Sequence, residues 1–172
     1  MRHARDVTAF SEFVEARSAS LFRTAYLMVG DHQLAQDLLQ EALVKTLLAW
    51  PRLSDHHSVE AYTRRIVVTT SISWRRRRSF HERPTDTLPE LVGADPVEGI
   101  VTHDTVLTAL LALPPRQRAA IVLRYYQDLT EAQTAEAMGC AVGTVKSQCA
   151  KALAKLRVDA GLASLSDEGG MS

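Results

Sequence analysis

The chain has 172 residues, with 20 Lys+Arg against 20 Asp+Glu, 46% hydrophobic residues and 6% aromatic. That much apolar content excludes a disordered or collagen-like chain. No run reaches the ~18–20 apolar residues of a membrane helix, and Met1 to Asp6 lead into an amphipathic segment with Glu12 and Glu15 instead of a signal-peptide core, so a cytoplasmic location without membrane insertion is expected.

The zero net charge is a sum of blocks. Residues 1–60 hold 6 basic and 8 acidic side chains, 61–83 hold 7 and 1, and 84–115 hold 0 and 5. Residues 141–157 then carry Lys146, Lys151, Lys155 and Arg157 without an acid. Two basic patches separated by an acidic stretch suit a polyanion gripped at two places.

In chain order, apolar spacings of three and four mark a first helix through Phe10, Phe13, Val14, Leu21, Phe22, Ala25 and Met28. A second helix runs through Leu34, Ala35, Leu38, Leu39, Ala42 and Leu43. Gly30 is the stop between them and Asp31 the cap of the second. Trp50-Pro51 ends the second helix, because the residue before proline is pushed out of the α region. A third helix is expected from about Ser58 to Arg77, with His56 and His57 in a loop before it. The β-branched run Ile66 to Thr70 lacks bounding turn residues and reads as buried helix, not strand. These three helices predict a compact bundle over 8–80.

Residues 84–100 contain three prolines, two glycines and no base, and these 17 residues reach about 55 Å if extended, which predicts a flexible acidic linker, placed at 81–104. From about Val101 helical spacing resumes through Val106, Leu107, Leu110 and Leu111, breaks at Leu113-Pro114-Pro115 and continues from Arg116 to Tyr126. A second helical module is expected over 105–160. The tail over 161–172 reads as frayed and too short for an appended regulatory domain. Cys140 and Cys149 are too few for a disulfide scaffold and read as small buried hydrophobes.

The most specific pattern lies at 129–157. Thr130 and Gln133 have capping-box spacing, Gly139 stops the short helix they open, and a second helix follows with Ala141 near its cap. Helix, glycine turn, helix is the helix-turn-helix arrangement, whose second helix enters the major groove. On that helix Val145, Cys149, Ala152 and Leu156 repeat at four, three and four and face the core. Thr144, Ser147, Gln148, Lys151 and Lys155 are thereby turned outward. Serine, threonine and glutamine can read base edges, and lysine can take phosphate or guanine.

A second constellation over 62–80 combines Tyr62, Arg64, Arg65, Trp74, Arg75, Arg76, Arg77, Arg78 and Phe80. Arginine grips phosphate and an adjacent aromatic holds an unstacked base, so this composition suits single-stranded or melted DNA. The alternative for Trp74 is a core anchor, and for the arginine run a solvated helix end.

Four motifs occur in order: Asp37-Leu38-Leu39-Gln40-Glu41; Ala61 to Arg78 with its arginine run; Leu113-Pro114-Pro115-Arg116-Gln117-Arg118 before Leu123-Arg124-Tyr125; and Gly143-Thr144-Val145-Lys146-Ser147. Together they resemble the extracytoplasmic-function (ECF) sigma factors of bacterial RNA polymerase, over about residues 8–158. Length and wording look most like the actinobacterial sigma-E-like subgroup.

The resemblance implies an all-α protein: a region 2 bundle that binds core polymerase and recognises and melts the minus-ten element, a linker, and a region 4 helix-turn-helix that reads the minus-thirty-five element. It implies minus-thirty-five contacts from Thr144, Lys146, Ser147, Gln148, Lys151 and Lys155, and minus-ten contacts from Tyr62, Arg65, Thr69, Ser73, Trp74, Arg76, Arg77 and Arg78. Thr69 stands where many relatives carry an asparagine that lines the pocket for a flipped base. Asp37, Leu38, Gln40 and Glu41 would dock on the clamp helices of the largest polymerase subunit, with the flap of the second-largest subunit, promoter DNA and an anti-sigma factor as further expected partners.

The six histidines are scattered, and no phosphate loop, nucleophile elbow or HExxH motif occurs, so no metal, no cofactor and no self-contained enzyme are expected. The competing reading is an autonomous helix-turn-helix regulator whose N-terminal bundle dimerises or senses a ligand.

Overall fold

The structure, a computed structural model, describes residues 2–53, 56–81 and 100–159. Every regular element within them is helical: α1 (Arg2–Val29), α2 (His32–Ala49), a 3-10 turn (Trp50–Arg52), α3 (His56–His81), α4 (Ile100–Ala112), α5 (Pro115–Ile121), a π-helical turn (Val122–Tyr126), α6 (Glu131–Met138) and α7 (Val142–Asp159).

The N-terminal half forms where the apolar periodicity places it. Gly30 takes φ +72°, which a side chain rarely adopts, and Asp31 caps α2 by accepting from the Leu34 amide at 2.8 Å. α1, α2 and α3 bury Ala25, Met28, Ala35, Leu38, Ala42, Val67 and Val68 between them. A smaller cluster joins Phe13, Leu21 and Val59, over which Trp50 packs edge-on against Phe10 with ring centroids 5.3 Å apart. Two buried hydroxyls lie inside the bundle: Thr46 and Thr63 are 2.8 Å apart, and each also lies 2.8 Å from the carbonyl four residues back. With one proton apiece, one hydroxyl donates to the other, which donates to its own helix.

The C-terminal half is built from shorter helices, and its ends are held by named polar contacts. α6 opens on a complete capping box: the Gln133 amide donates to Thr130 Oγ1 at 3.1 Å and the Thr130 amide to Gln133 Oε1 at 2.9 Å. It closes at Gly139 with φ +65°. In the π turn, the Gln127 amide bonds to the Val122 carbonyl at 3.0 Å, and Asp128 takes φ +51° before the chain enters α6.

The elements depart from expectation in four places. α3 starts at His56, so His56 and His57 are in its first turn, and it continues to His81. α4 starts at Ile100, one residue before the Val101 at which helical spacing resumes, so it begins inside the stretch placed as linker. The stretch from Arg116 to Tyr126 is a short α-helix followed by a π turn instead of one helix. Cys140 and Cys149 are half-buried at the edge of the core. The proline-rich segment and the tail after Gly161 lie outside the described residues.

Contacts also run between the halves. Buried residues of α1, α2 and α3 form one continuous cluster with Leu110, Leu113, Ala119, Ile121, Leu123, Ala135 and Val145. At its centre Arg118 of α5, only 1% exposed, donates to the carbonyls of Leu110 (2.8 Å), Leu111 (2.9 Å) and Leu113 (2.8 Å) at the end of α4, and to that of Met28 (2.5 Å) at the end of α1. A buried guanidinium thus binds the carbonyls at two helix ends, adding to the Leu113 amide that also donates to the Leu110 carbonyl at 3.1 Å.

Candidate nucleic-acid interface

The outward side of α7 is set by its inward one. Val145 and Ala152 are fully buried, and Cys149 and Leu156 pack beside them. This leaves Ser147 and Lys151 exposed on the opposite side, flanked by Thr144 and Gln148, both half-buried, and by exposed Lys155. Lys155 donates to the Ala112 carbonyl at 3.0 Å, where α4 ends, so its charge sits against a negative helix terminus. Lys146 departs from this group. It lies one residue after Val145, about 100° around the helix, and points toward α6, where its ammonium is 3.6 Å from Glu131.

On α3, Tyr62, Arg65, Thr69 and Ser73 fall at intervals of three and four and form one stripe. Arg65 is exposed; Tyr62, Thr69 and Ser73 are half-buried, and Thr69 donates its hydroxyl to the Arg65 carbonyl at 2.7 Å. Arg64 faces elsewhere: it pairs with Glu60 at 3.1 Å, and Glu60 also meets Arg17 of α1 at 3.4 Å. Trp74 has two environments. It packs partly against the core and also lines a cavity of about 250 Å³ with Glu41, Lys45, Thr69, Thr70 and Ser73. Arg76, Arg77 and Arg78 lie on the helical backbone of α3, but their side chains are outside the described part.

That cavity joins two groups of residues that the sequence kept apart, because Glu41 belongs to α2. Glu41 and Lys45 pair at 2.8 Å on its rim, supplying an acceptor and a donor beside the tryptophan. Asp37 and Gln40 are exposed on α2, and Asp37 accepts from Gln33 at 3.1 Å. Leu38 is a correction: it is fully buried, since its position in the three-four repeat with Ala35 and Ala42 turns it into the bundle and away from any partner. The exposed apolar side chains of this helix are instead Val44, Leu47 and Leu48, the last 73% exposed. Their departure from the inward repeat could have marked them, since apolar residues off the buried stripe must meet solvent or a partner. Tyr125 and Tyr126 are the corresponding exposed aromatics of the C-terminal half.

Among the described residues no group of three or more His, Cys, Asp or Glu side chains could hold a metal ion, and no helix is long and apolar enough to cross a membrane. The fold and these surfaces define a two-part helical protein, with a helix-turn-helix in one half and, in the other, a stripe of Tyr62, Arg65, Thr69 and Ser73 that ends beside Trp74.

Comparison with known proteins makes the class specific. Residues 13–81 match the model of sigma-70 region 2, and residues 103–156 match that of sigma-70 region 4. The chain is 39% identical to the RNA polymerase sigma-E factor of Streptomyces avermitilis over 88% of this chain and 85% of that protein. It is 34% identical to the ECF RNA polymerase sigma factor SigM of Mycobacterium tuberculosis over 89% of this chain and 78% of the other. Its fold is similar to that of the sigma factor RpoE solved in complex with the anti-sigma factor NepR from Bartonella quintana, with TM-score 0.66 and 22% identity over 87% of this chain and 94% of that one.

The chain belongs to the sigma-70 family, as an ECF sigma factor of the actinobacterial sigma-E-like kind. It is an alternative sigma factor that binds core RNA polymerase and directs promoter-specific transcription initiation. The family is one of non-enzymatic initiation factors.

Proposed function

We propose that the outward face of α7 reads the minus-thirty-five element, that the α3 stripe and the cavity beside it hold the opened minus-ten strand, and that exposed α2 docks on the polymerase clamp helices. One observation carries this reading. The cavity lined by Thr69, Ser73 and Trp74 opens beside Glu41 at the foot of the exposed α2 face, so strand capture and polymerase docking are adjacent on one bundle.

On α7, Ser147, Gln148 and Lys151 have the chemistry for base edges and Thr144 that for phosphate. Lys155 reaches DNA by leaving the Ala112 carbonyl. Lys146 serves the helix-turn-helix itself by tying α7 to α6. On α3, Tyr62 and Trp74 offer faces for unstacked bases and Arg65 offers charge to phosphate, and Arg76, Arg77 and Arg78 add positive charge farther along the helix.

On α2, Asp37, Gln40 and Glu41 are followed along the helix by the exposed apolar Val44, Leu47 and Leu48, a combination that suits a protein partner and repels DNA. Tyr125 and Tyr126 give the C-terminal half a surface for the polymerase flap. The chain acts in the cytoplasm, catalyses nothing by itself and is held in reserve by an anti-sigma factor, as a structural neighbour solved with one suggests. The module limits are those of the sequence reading, 8–80 and 105–160, with the second extended back to the start of α4.

A photo-crosslinker placed at Ser147 or at Tyr62 tests the assignment in the complex with core polymerase on a promoter. Crosslinks from Ser147 to the upstream duplex and from Tyr62 to the non-template strand of the opened region are expected. The reverse pattern, or crosslinks formed equally without polymerase, would overturn it.

A further inference from the structure

We propose that Glu131 of α6 is an internal stand-in for DNA phosphate: it holds the Lys146 ammonium off the duplex, and Lys146 joins the DNA contacts of α7 only by exchanging Glu131 for a phosphate. The proposal rests on the reading above in which α7 faces the minus-thirty-five duplex. It adds a residue of the other helix that sets how strongly that face holds the backbone.

At about 100° per residue, Lys146 and Lys151 each stand about 70° from the direction opposite the buried Val145 and Ala152, one on either side. Between them run Gly143, Ser147, Ala150 and Ala154, all small and all exposed, and a Cβ on Gly143 would meet nothing within 4 Å. So low a ridge lets the helix sit deep in a major groove, with a lysine toward the phosphates on each side. The two lysines are nevertheless treated differently. Lys151 has no ion-pair partner among the described residues, whereas Lys146 lies 3.6 Å from Glu131.

Glu131 is the first residue of α6, and the first helix of a helix-turn-helix crosses the DNA backbone. A carboxylate there repels phosphate unless a cation neutralises it, and Lys146 is that cation. The motif stays folded when the pair opens, because the Thr130 and Gln133 box secures the start of α6 and buried Ala135, Met138, Val145 and Ala152 join the two helices to the core.

The pair is also easy to exchange. The side chains are 64% and 40% exposed, and ion pairs in such surroundings are weak and screened by salt. A phosphate offers the ammonium a like charge, and release of a condensed counterion favours the exchange. Sequence-independent affinity is built from such contacts, so a withheld lysine keeps the grip of the free chain on bulk DNA low.

Fluorescence anisotropy of the full chain on a short mixed-sequence duplex, at about 50 and about 200 mM salt, tests this. Glu131→Gln should bind at least about threefold tighter than wild type at the lower salt, and lose about threefold more affinity on passing to the higher, the signature of one added phosphate contact. Glu131→Gln combined with Lys146→Ala restores the net charge of wild type and should follow its curve within about twofold. Weaker binding by Glu131→Gln, or tighter binding with the salt dependence of wild type, would overturn the proposal, because a pair that only holds two helices together loses affinity when cut. Lys151→Ala, run in parallel, should flatten the salt dependence by about one contact. A flattened Lys151→Ala beside an unsteepened Glu131→Gln would overturn this proposal alone. A Lys151→Ala curve identical to wild type would overturn the DNA-facing assignment of α7 and this proposal with it.

Discussion

The two halves of the molecule are stabilised differently. The N-terminal bundle has helices of 28, 18 and 26 residues, long enough for an apolar stripe to hold them together, and its buried hydroxyls include the self-sufficient pair Thr46 and Thr63. The C-terminal half has helices of 7 and 8 residues beside α4 and α7, too short to persist without caps. It therefore depends on Thr130, Gln133, Gly139 and above all Arg118. Burial of apolar surface tolerates variation in the first half, and directional bonds leave little in the second.

The sharpest way to break this comparison is Arg118→Met. It removes the guanidinium from the carbonyls of Met28, Leu111 and Leu113 at the ends of α1 and α4, and should lower unfolding stability by roughly 3–5 kcal/mol in urea titration. Replacing both Thr46 and Thr63 by valine removes both partners of a buried pair at nearly constant shape, and should change stability by less than about 1 kcal/mol. Equal losses from the two would erase the distinction.

The working surfaces divide along the same line. Glu41→Lys on α2 should weaken binding to core polymerase about thirtyfold, or about 2 kcal/mol, with the melting temperature unchanged. Lys151→Ala on α7 should leave polymerase binding intact and cost promoter binding about 1 kcal/mol, with a shallower salt dependence. Exchanged phenotypes would reverse the assignments.

The smaller effects test the C-terminal half alone. Thr130→Ala removes one side of the capping box and should cost about 1 kcal/mol of stability. The Cys149 thiol is pushed up, chiefly by burial, with Arg124 opposing and the Glu131 carboxylate adding to the shift. Its alkylation at neutral pH should be slower than that of a free thiol. Because the unfolded chain gives up this proton at lower pH than the folded one, stability should fall as pH climbs past the ordinary thiol range.

Much of the fold was legible because local rules and tertiary packing agree. Gly30-Asp31 and the Thr130 box each specify a helix end with their own atoms, whereas Trp50, expected to leave the α region before Pro51, stays in it at φ −49° and ψ −45°, and α2 runs on into a 3-10 turn that ends at Arg52. What was not legible depends on partners distant in sequence. Arg118 stood inside a quoted motif without a role, since the Met28 carbonyl that it meets is 90 residues away. The π turn likewise follows from the bonds its far end makes, such as Gln127 to Thr24. At the site, the inward repeat of α7 identified the exposed face with Ser147 and Lys151. It could not show that Lys146 would turn to Glu131, nor that Lys155 would reach Ala112. On α2, a motif of adjacent residues carried Leu38 with it, although adjacent residues on a helix face different ways. The same argument run on helical period singles out Val44, Leu47 and Leu48.

The most direct test of the sigma-factor assignment is run-off transcription with purified core RNA polymerase and this protein on genomic fragments, including the one upstream of its own gene. Discrete transcripts that require both components are the predicted result. No transcript, together with a salt-sensitive footprint left by the protein alone, would contradict the account and point to an autonomous regulator.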